Sequence, residues 1–291
     1  MTQYYSASPP YDHNNATAQQ SHTSVLPVPV VAIFSADGGL GASTFALQLA
    51  RMCSQMGLRV CLIDGDFYSG GLDVLAGCEE QEGLRWNNVQ APLGSIDPHG
   101  FLDELVSWEN VHLLASRPWE GTHNQWWEIK AVYEAAAPYC DVIICDCGRR
   151  LSQRLATAWK DISSSILILP IILMRLTTLG IVRCSCLVNS LKESLFKEIP
   201  SSYCEPLLYI APEKPRGLFH SYRSQVSAAQ VEDYLHLDIV GKITYDSRIP
   251  RFEDAGWGIA PTHKSCQRLL KAFIRDYILS RSFRQKELMQ S

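Results

Sequence analysis

The chain has 291 residues, 46% of them hydrophobic and 19% charged, enough apolar material for a large α/β core in one domain or two small ones. A formal net charge of −4 advertises no nucleic-acid partner, and no polyacidic tail is present. Ten cysteines without a basic-then-apolar leader read as reduced, buried thiols of a cytoplasmic protein, and the longest apolar run, Ile166 to Met174, is too short to span a bilayer.

In chain order, residues 1–24 are polar and carry hardly an aliphatic side chain, so the expectation is a disordered leader followed by one domain over 25–291. The apolar run Val28 to Phe34 predicts a strand. It leads into Phe34-Ser-Ala-Asp-Gly-Gly-Leu-Gly-Ala-Ser-Thr44, and a helix follows from Thr44 to Met56, stopped at Gly57. Gly38, Gly39 and Gly41 suit positive φ, which brings successive N–H groups onto an anion. With the helix N-terminus behind them they make a phosphate site, where the Ser43 hydroxyl can ligate magnesium. A tight turn without a ligand is the alternative. The match to G-x-x-x-x-G-K-[ST] is partial, because Ala36 stands at the first glycine position and Ala42 at the lysine position.

Arg59 to Asp64 is a near-continuous apolar run that carries a carboxylate to its end, followed by Gly65-Asp66. A short helix is expected over Leu72 to Ala76, a loop at Gly83-Leu-Arg-Trp86, a third strand over Val111 to Ala115 and a helix over Gln125 to Ala137. The fourth strand is Asp141 to Asp146, and further strands are Ser165 to Ile171, Pro206 to Ile210 and Ile239 to Ile243. A helix lies around Arg175 to Leu191, and an amphipathic basic helix over about 265–285 closes the chain. Strands alternating with helices predict a doubly wound, mainly parallel sheet in a three-layer α/β/α arrangement. At its carboxyl edge Ser43, Asp64 and Asp146 can hold magnesium, with Asp66 orienting a hydrolytic water; strand-end carboxylates also serve as caps and turn formers.

The segment Asp37-Gly-Gly-Leu-Gly-Ala-Ser-Thr44 resembles the deviant phosphate loop of the MinD/ParA family, K-G-G-x-G-K-[ST]-[ST], with Asp37 and Ala42 in place of both lysines. The span Cys61-Leu-Ile-Asp-Gly-Asp-Phe-Tyr-Ser-Gly-Gly-Leu-Asp-Val-Leu-Ala-Gly77, together with Gly83-Leu-Arg-Trp86, looks like the actinobacterial CpaE-like, septum site-determining group found with Flp pilus or secretion gene clusters. The resemblance covers about residues 28 to 275. It implies a SIMIBI-type P-loop fold, and nucleotide-binding positions at Gly38, Gly39, Leu40, Gly41, Ala42, Ser43 and Thr44. It further implies ATP or ADP with Mg2+, nucleotide-dependent homodimers, protein partners in a division or pilus/secretion machinery, and peripheral membrane contact through the C-terminal helix, although the preferred reading of that helix is docking on the sheet, because its apolar stripe is as wide as a core-facing helix needs. The strand Pro206 to Ile210 ends in Ala211-Pro212 without the Asn that base-binding relatives carry, and Arg149 and Arg150 are the nearest candidates for the missing charge.

A charge about 4 Å from a phosphate contributes roughly 4 kcal/mol at an effective dielectric of about 20, and two such lysines are gone. A helix dipole returns only about 1–2 kcal/mol. The expectation is therefore weak nucleotide binding at most, and weak or absent hydrolysis, in a degenerate positioning protein. The alternatives are an active ATPase with an arginine in place of lysine, or a metabolic ligase of the same fold.

Overall fold

The computed structural model describes residues 27–121, 124–196, 205–213 and 226–280. The leader over 1–24 and the end of the C-terminal helix over 281–285 lie outside the described residues.

Eight strands form one sheet: Val28–Ser35 (β1), Val60–Asp64 (β2), Val106–Trp108 (β3), Val111–Leu114 (β4), Val142–Asp146 (β5), Ile166–Met174 (β6), Leu207–Ile210 (β7) and Ile239–Lys242 (β8). Their order is β3-β4-β2-β5-β1-β6-β7-β8, parallel throughout except for the β3–β4 pair at one edge. Every residue of β1, β2, β5 and β6 is buried, as expected of central parallel strands covered on both faces. Pro170 is tolerated inside β6 because β7 pairs only from Ile171 onward, leaving that position with β1 as its sole neighbour.

The helices divide between the two faces. Trp126–Ala136 (α4), Gln153–Asp161 (α5), Thr178–Leu191 (α6) and Ala228–Leu235 (α7) bury their apolar residues in one cluster, and Ala42–Gln55 (α1) and Lys264–Phe273 (α9) bury theirs in the other. Because β1 hands the chain to α1 on one face and β5 hands it to α5 on the other, a crevice opens between their carboxyl ends, the usual ligand site of such sheets. Among the described residues three short helices complete the set, Leu72–Ala76 (α2), Phe101–Glu104 (α3) and Arg248–Asp254 (α8), of which α2 and α8 flank that edge.

Two expectations are corrected, one at a sheet edge and one in the loop. The third strand is preceded by β3, with which it forms an antiparallel hairpin through Glu109 and Asn110, both at positive φ (49° and 61°). Glu109 is an unusual residue there; Arg51 grips its carboxylate at 2.5 and 2.8 Å and stacks over Trp108. The C-terminal helix follows the docked reading preferred for it: Leu270, Phe273, Ile274 and Ile278 are buried, leaving Arg268, Lys271 and Arg275 exposed. Among the described residues no helix is long and apolar enough to cross a membrane. Finally, of the three loop glycines only Gly39 and Gly41 take positive φ; Gly38 does not. Of the nine described cysteines eight are buried, as a core-packing role requires, and Cys186 is exposed.

Candidate functional site

The loop leaves β1 at the centre of the sheet and is anchored on both sides. The Ser35 amide donates to Gly148 O at 2.8 Å, and the Ala36 amide to Leu173 O at 2.9 Å, so the ends of β5 and β6 hold its first residues. Gly39 (φ 66°) and Gly41 (φ 82°) then turn the chain into α1, and no atom lies within 4 Å of where their side chains would be. Glycine is therefore demanded by dihedral angle, and the space in front of the backbone stays open for a ligand. Gly41 caps α1 without a side-chain oxygen and no acidic residue sits in the first turn, which leaves the amides around Ala42, Ser43 and Thr44 for an anion.

Asp64 and Asp146 are register partners on β2 and β5, and both are buried. Burial pushes the Asp146 carboxyl up to about 6; the Ser43 hydroxyl, the Gly148 amide at 3.1 Å and the nearby Asp66 charge adjust it further. Asp64 is raised well above its ordinary value, first by burial and then by the Asp146 charge. Its oxygens accept the amides of Asp66 (3.2 Å), Leu72 (3.3 Å) and Ser116 (3.2 Å), so Asp64 ties three loops to the sheet edge. Asp66 accepts the amides of Tyr68 and Ser69 and packs so closely on the turn after β5 that a side chain at Gly148 would collide with it. The structure thus brings together Ser43, Asp64, Asp66 and Asp146.

The loop's charged neighbours were not legible in the sequence. Asp37 pairs with Arg183 on α6 at 2.6 Å and lies 3.7 Å from Arg175, the residue after β6. The Gly38 amide, followed by Arg183, holds the Asp37 carboxyl below the usual range. Among the described residues these two arginines, rather than Arg149 or Arg150, make the ion pairs at the loop; Arg149 and Arg150 are exposed on the turn after β5. On the other side Thr44 Oγ1 donates to Glu253 Oε1 at 3.4 Å, and burial raises the Glu253 carboxyl. Alongside lies a cleft of about 100 Å³, walled by Thr44, Phe45 and Gln48 on α1 and by Pro212, Tyr245 and His263 opposite.

The remaining motifs are structural. Asp73, fully buried, pairs with Arg85 at 2.7 Å and Arg117 at 2.8 Å. The Arg85 guanidinium also donates to the carbonyls of Gly83, Cys78, Glu79 and Gln81, and Trp86 Nε1 donates to Asp64 O at 2.8 Å. The G-G-x-D and G-L-R-W segments are therefore two halves of one brace beneath the site. A side chain at Gly83 would fall 2.7 Å from the Val106 amide nitrogen, which explains the first glycine of the second segment.

A ParA family model, described as NUBPL iron-transfer P-loop NTPase, matches residues 28–100. The chain is 29% identical over 141 residues to an uncharacterized protein of Mycobacterium tuberculosis H37Rv, covering 48% of this chain and 39% of that one. It is 28% identical over 118 residues to the septum site-determining protein MinD of Thermotoga maritima, covering 40% and 43%. The matches thus span about two fifths of the length of these curated relatives. Among solved structures it resembles a ParA family ATPase from Chlorobium tepidum (TM-score 0.61, 18% identity, 84% of this chain and 92% of that one). It also resembles MinD in the MinC:MinD cell division protein complex of Aquifex aeolicus (0.60, 17%, 86% and 97%). A third likeness is to MinD complexed with Mg-ADP from Pyrococcus horikoshii (0.55, 18%, 88% and 98%). The fold is that of the MinD/ParA P-loop NTPases, and the sequence similarities support a relationship to that family.

Proposed function

We propose that the chain, with residues 25–291 as its P-loop domain, is a nucleotide-responsive positioning protein of MinD/ParA type, with CpaE-like motifs, in which binding has been kept weak and hydrolysis largely lost. Its client on this reading is a division septum or a Flp pilus or secretion complex, met through protein partners and as a nucleotide-dependent homodimer. One observation carries it: the loop keeps the backbone shape of a phosphate site, yet it has no lysine and has the Asp37 and Glu253 carboxylates at its two ends. Backbone amides and helix dipole can still hold phosphates, but charge developing on a transferred phosphoryl group meets too few cations.

The donor set fits magnesium. A buried carboxylate raised by burial, beside a hydroxyl, is relieved by a hard cation, so Ser43 and Asp146 would hold Mg2+ in common with nucleotide phosphates. Bound there, the ion would neutralise phosphate charge. Asp64, already holding three backbone amides, would contribute its field, and Asp66 would orient water. The cleft beside Thr44 would receive the base, in a form where Pro212 offers no side-chain hydrogen bond.

The test separates binding from turnover. Calorimetric titration with Mg-ATP should show weak binding that Gly41→Val abolishes, while phosphate release stays at background. Brisk hydrolysis by the wild type would instead support an active ATPase with an arginine cation, a reading favoured by the guanidiniums of Arg175 and Arg183 at the loop, with Arg149 as the further candidate.

A further inference from the structure

The Asp37 carboxylate is surrounded by donors. One oxygen accepts the Gly38 amide at 2.8 Å and the Arg183 guanidinium at 2.6 Å, and the other lies 3.7 Å from the Arg175 guanidinium. A glycine-loop amide together with two guanidiniums is a donor set suited to a phosphoryl oxygen, because planar guanidinium forks and loop amides both match a tetrahedral oxyanion.

These donors are placed by the fold. β6 runs alongside β1 over its full length, with Leu173 opposite Ser35, so Arg175 is carried to the side of the loop by the central ladder. The first turn of α6 is capped by Thr177, whose hydroxyl accepts the Gly180 amide at 3.0 Å. Gly180 has no room for a side chain, since a Cβ there would lie 2.4 Å from the Arg175 carbonyl oxygen. That close approach sets α6 against the end of β6 and lets Arg183, one turn further along, reach the same carboxylate. Both arginine side chains remain 43–44% exposed, against 26% for Asp37, so the guanidiniums are free to exchange partners at little cost to the fold.

We propose that Asp37 is an internal stand-in for a nucleotide phosphate, and that Arg175 and Arg183 are this loop's phosphate cations, released from Asp37 to a polyphosphate when nucleotide enters. The inference rests on reading the loop as a nucleotide site. It also accounts for an anion at the position of a family lysine: the carboxylate stores the two cations beside the loop and competes with the ligand for them. Affinity is lowered without the cationic site being lost.

The experiment is calorimetric titration of the full chain with Mg-ATP and Mg-ADP. The panel is the wild type, Asp37→Asn, Asp37→Asn with Arg175→Ala and Arg183→Ala, Ala42→Lys, and Gly41→Val. Asp37→Asn should tighten binding about tenfold by freeing both guanidiniums, and removal of the two arginines in that background should reverse the gain and weaken binding below wild type. If Asp37→Asn tightens binding equally with and without the arginines, it acts only by removing repulsion, and the inference is overturned. The same holds if Asp37→Asn and the triple variant both bind as wild type does while Gly41→Val abolishes binding; the nucleotide reading then stands without these cations. If no variant binds, Ala42→Lys included, the nucleotide reading falls and takes this inference with it.

Discussion

Asp73 and Asp37 each meet two arginines, one pair in the core beneath the site and the other at the mouth of the loop. Asp73 is fully buried, and its partner Arg85 spends its remaining donors on backbone carbonyls, so the cluster is closed and every charge has a fixed counterpart. Asp37 and its arginines stay partly in water. The same residue types therefore do different work: a desolvated pair locks a fold because breaking it strands a charge, whereas a hydrated pair can be traded for another anion.

The largest expected effect comes from breaking the closed cluster. Asp73→Ala leaves Arg85 buried without its carboxylate and should cost about 3–5 kcal/mol of stability in urea unfolding. A loss under about 1 kcal/mol would show that the brace relaxes as easily as the exposed pair.

Next in size is a pH effect at the buried carboxylates. Asp146 sits at about 6 in the folded protein against 3.8 ordinarily, so the folded state binds its proton more tightly than the unfolded chain does. The stability this gives is fully present below about pH 3.8 and is lost as pH rises through about 6, on the order of 3 kcal/mol for a shift of about two units. Asp64 is also raised, first by burial, and acts in the same direction. In magnesium-free buffer, Asp146→Asn should be more stable than wild type at pH 8, and the difference should vanish near pH 4. Parallel stability curves at both ends would contradict the burial argument.

A smaller effect separates conformation from charge. Gly41→Val meets open space but must hold φ near +82°, which should cost about 1–2 kcal/mol of stability while removing nucleotide binding. The smallest is at the exposed pair itself: Arg183→Ala and Asp37→Asn should leave the unfolding midpoint unchanged while shifting nucleotide affinity, and a lowered midpoint would make the pair a structural brace like that of Asp73.

Much of the framework was readable along the chain because its signals are local. Apolar runs marked β1, β2, β5 and β6, and strand-end carboxylates marked Asp64 and Asp146 as neighbours of the loop. The β3 edge escaped because its turn uses Glu109-Asn110, a pair without a turn glycine, and works only with Arg51 holding Glu109 from α1. The helix α7 was missed, although its start in Ser227-Ala-Ala-Gln230 forms a capping box. The G-L-R-W segment stood out in the sequence, but its task as partner to Asp73 depends on two loops meeting in space.

The sequence by itself determined the alternation of strand and helix, the glycine turn into α1, and the absence of lysine from that turn, since each is written in side-chain pattern or backbone freedom over a few residues. Tertiary structure decided the charge balance of the site. Thr44 and Glu253 are 209 residues apart in the chain, and Asp37 meets arginines from the next strand of the sheet and the helix after it. Electrostatic partners are fixed by distance in space and by exclusion of water, and neither quantity exists until β1, β5 and β6 are laid side by side.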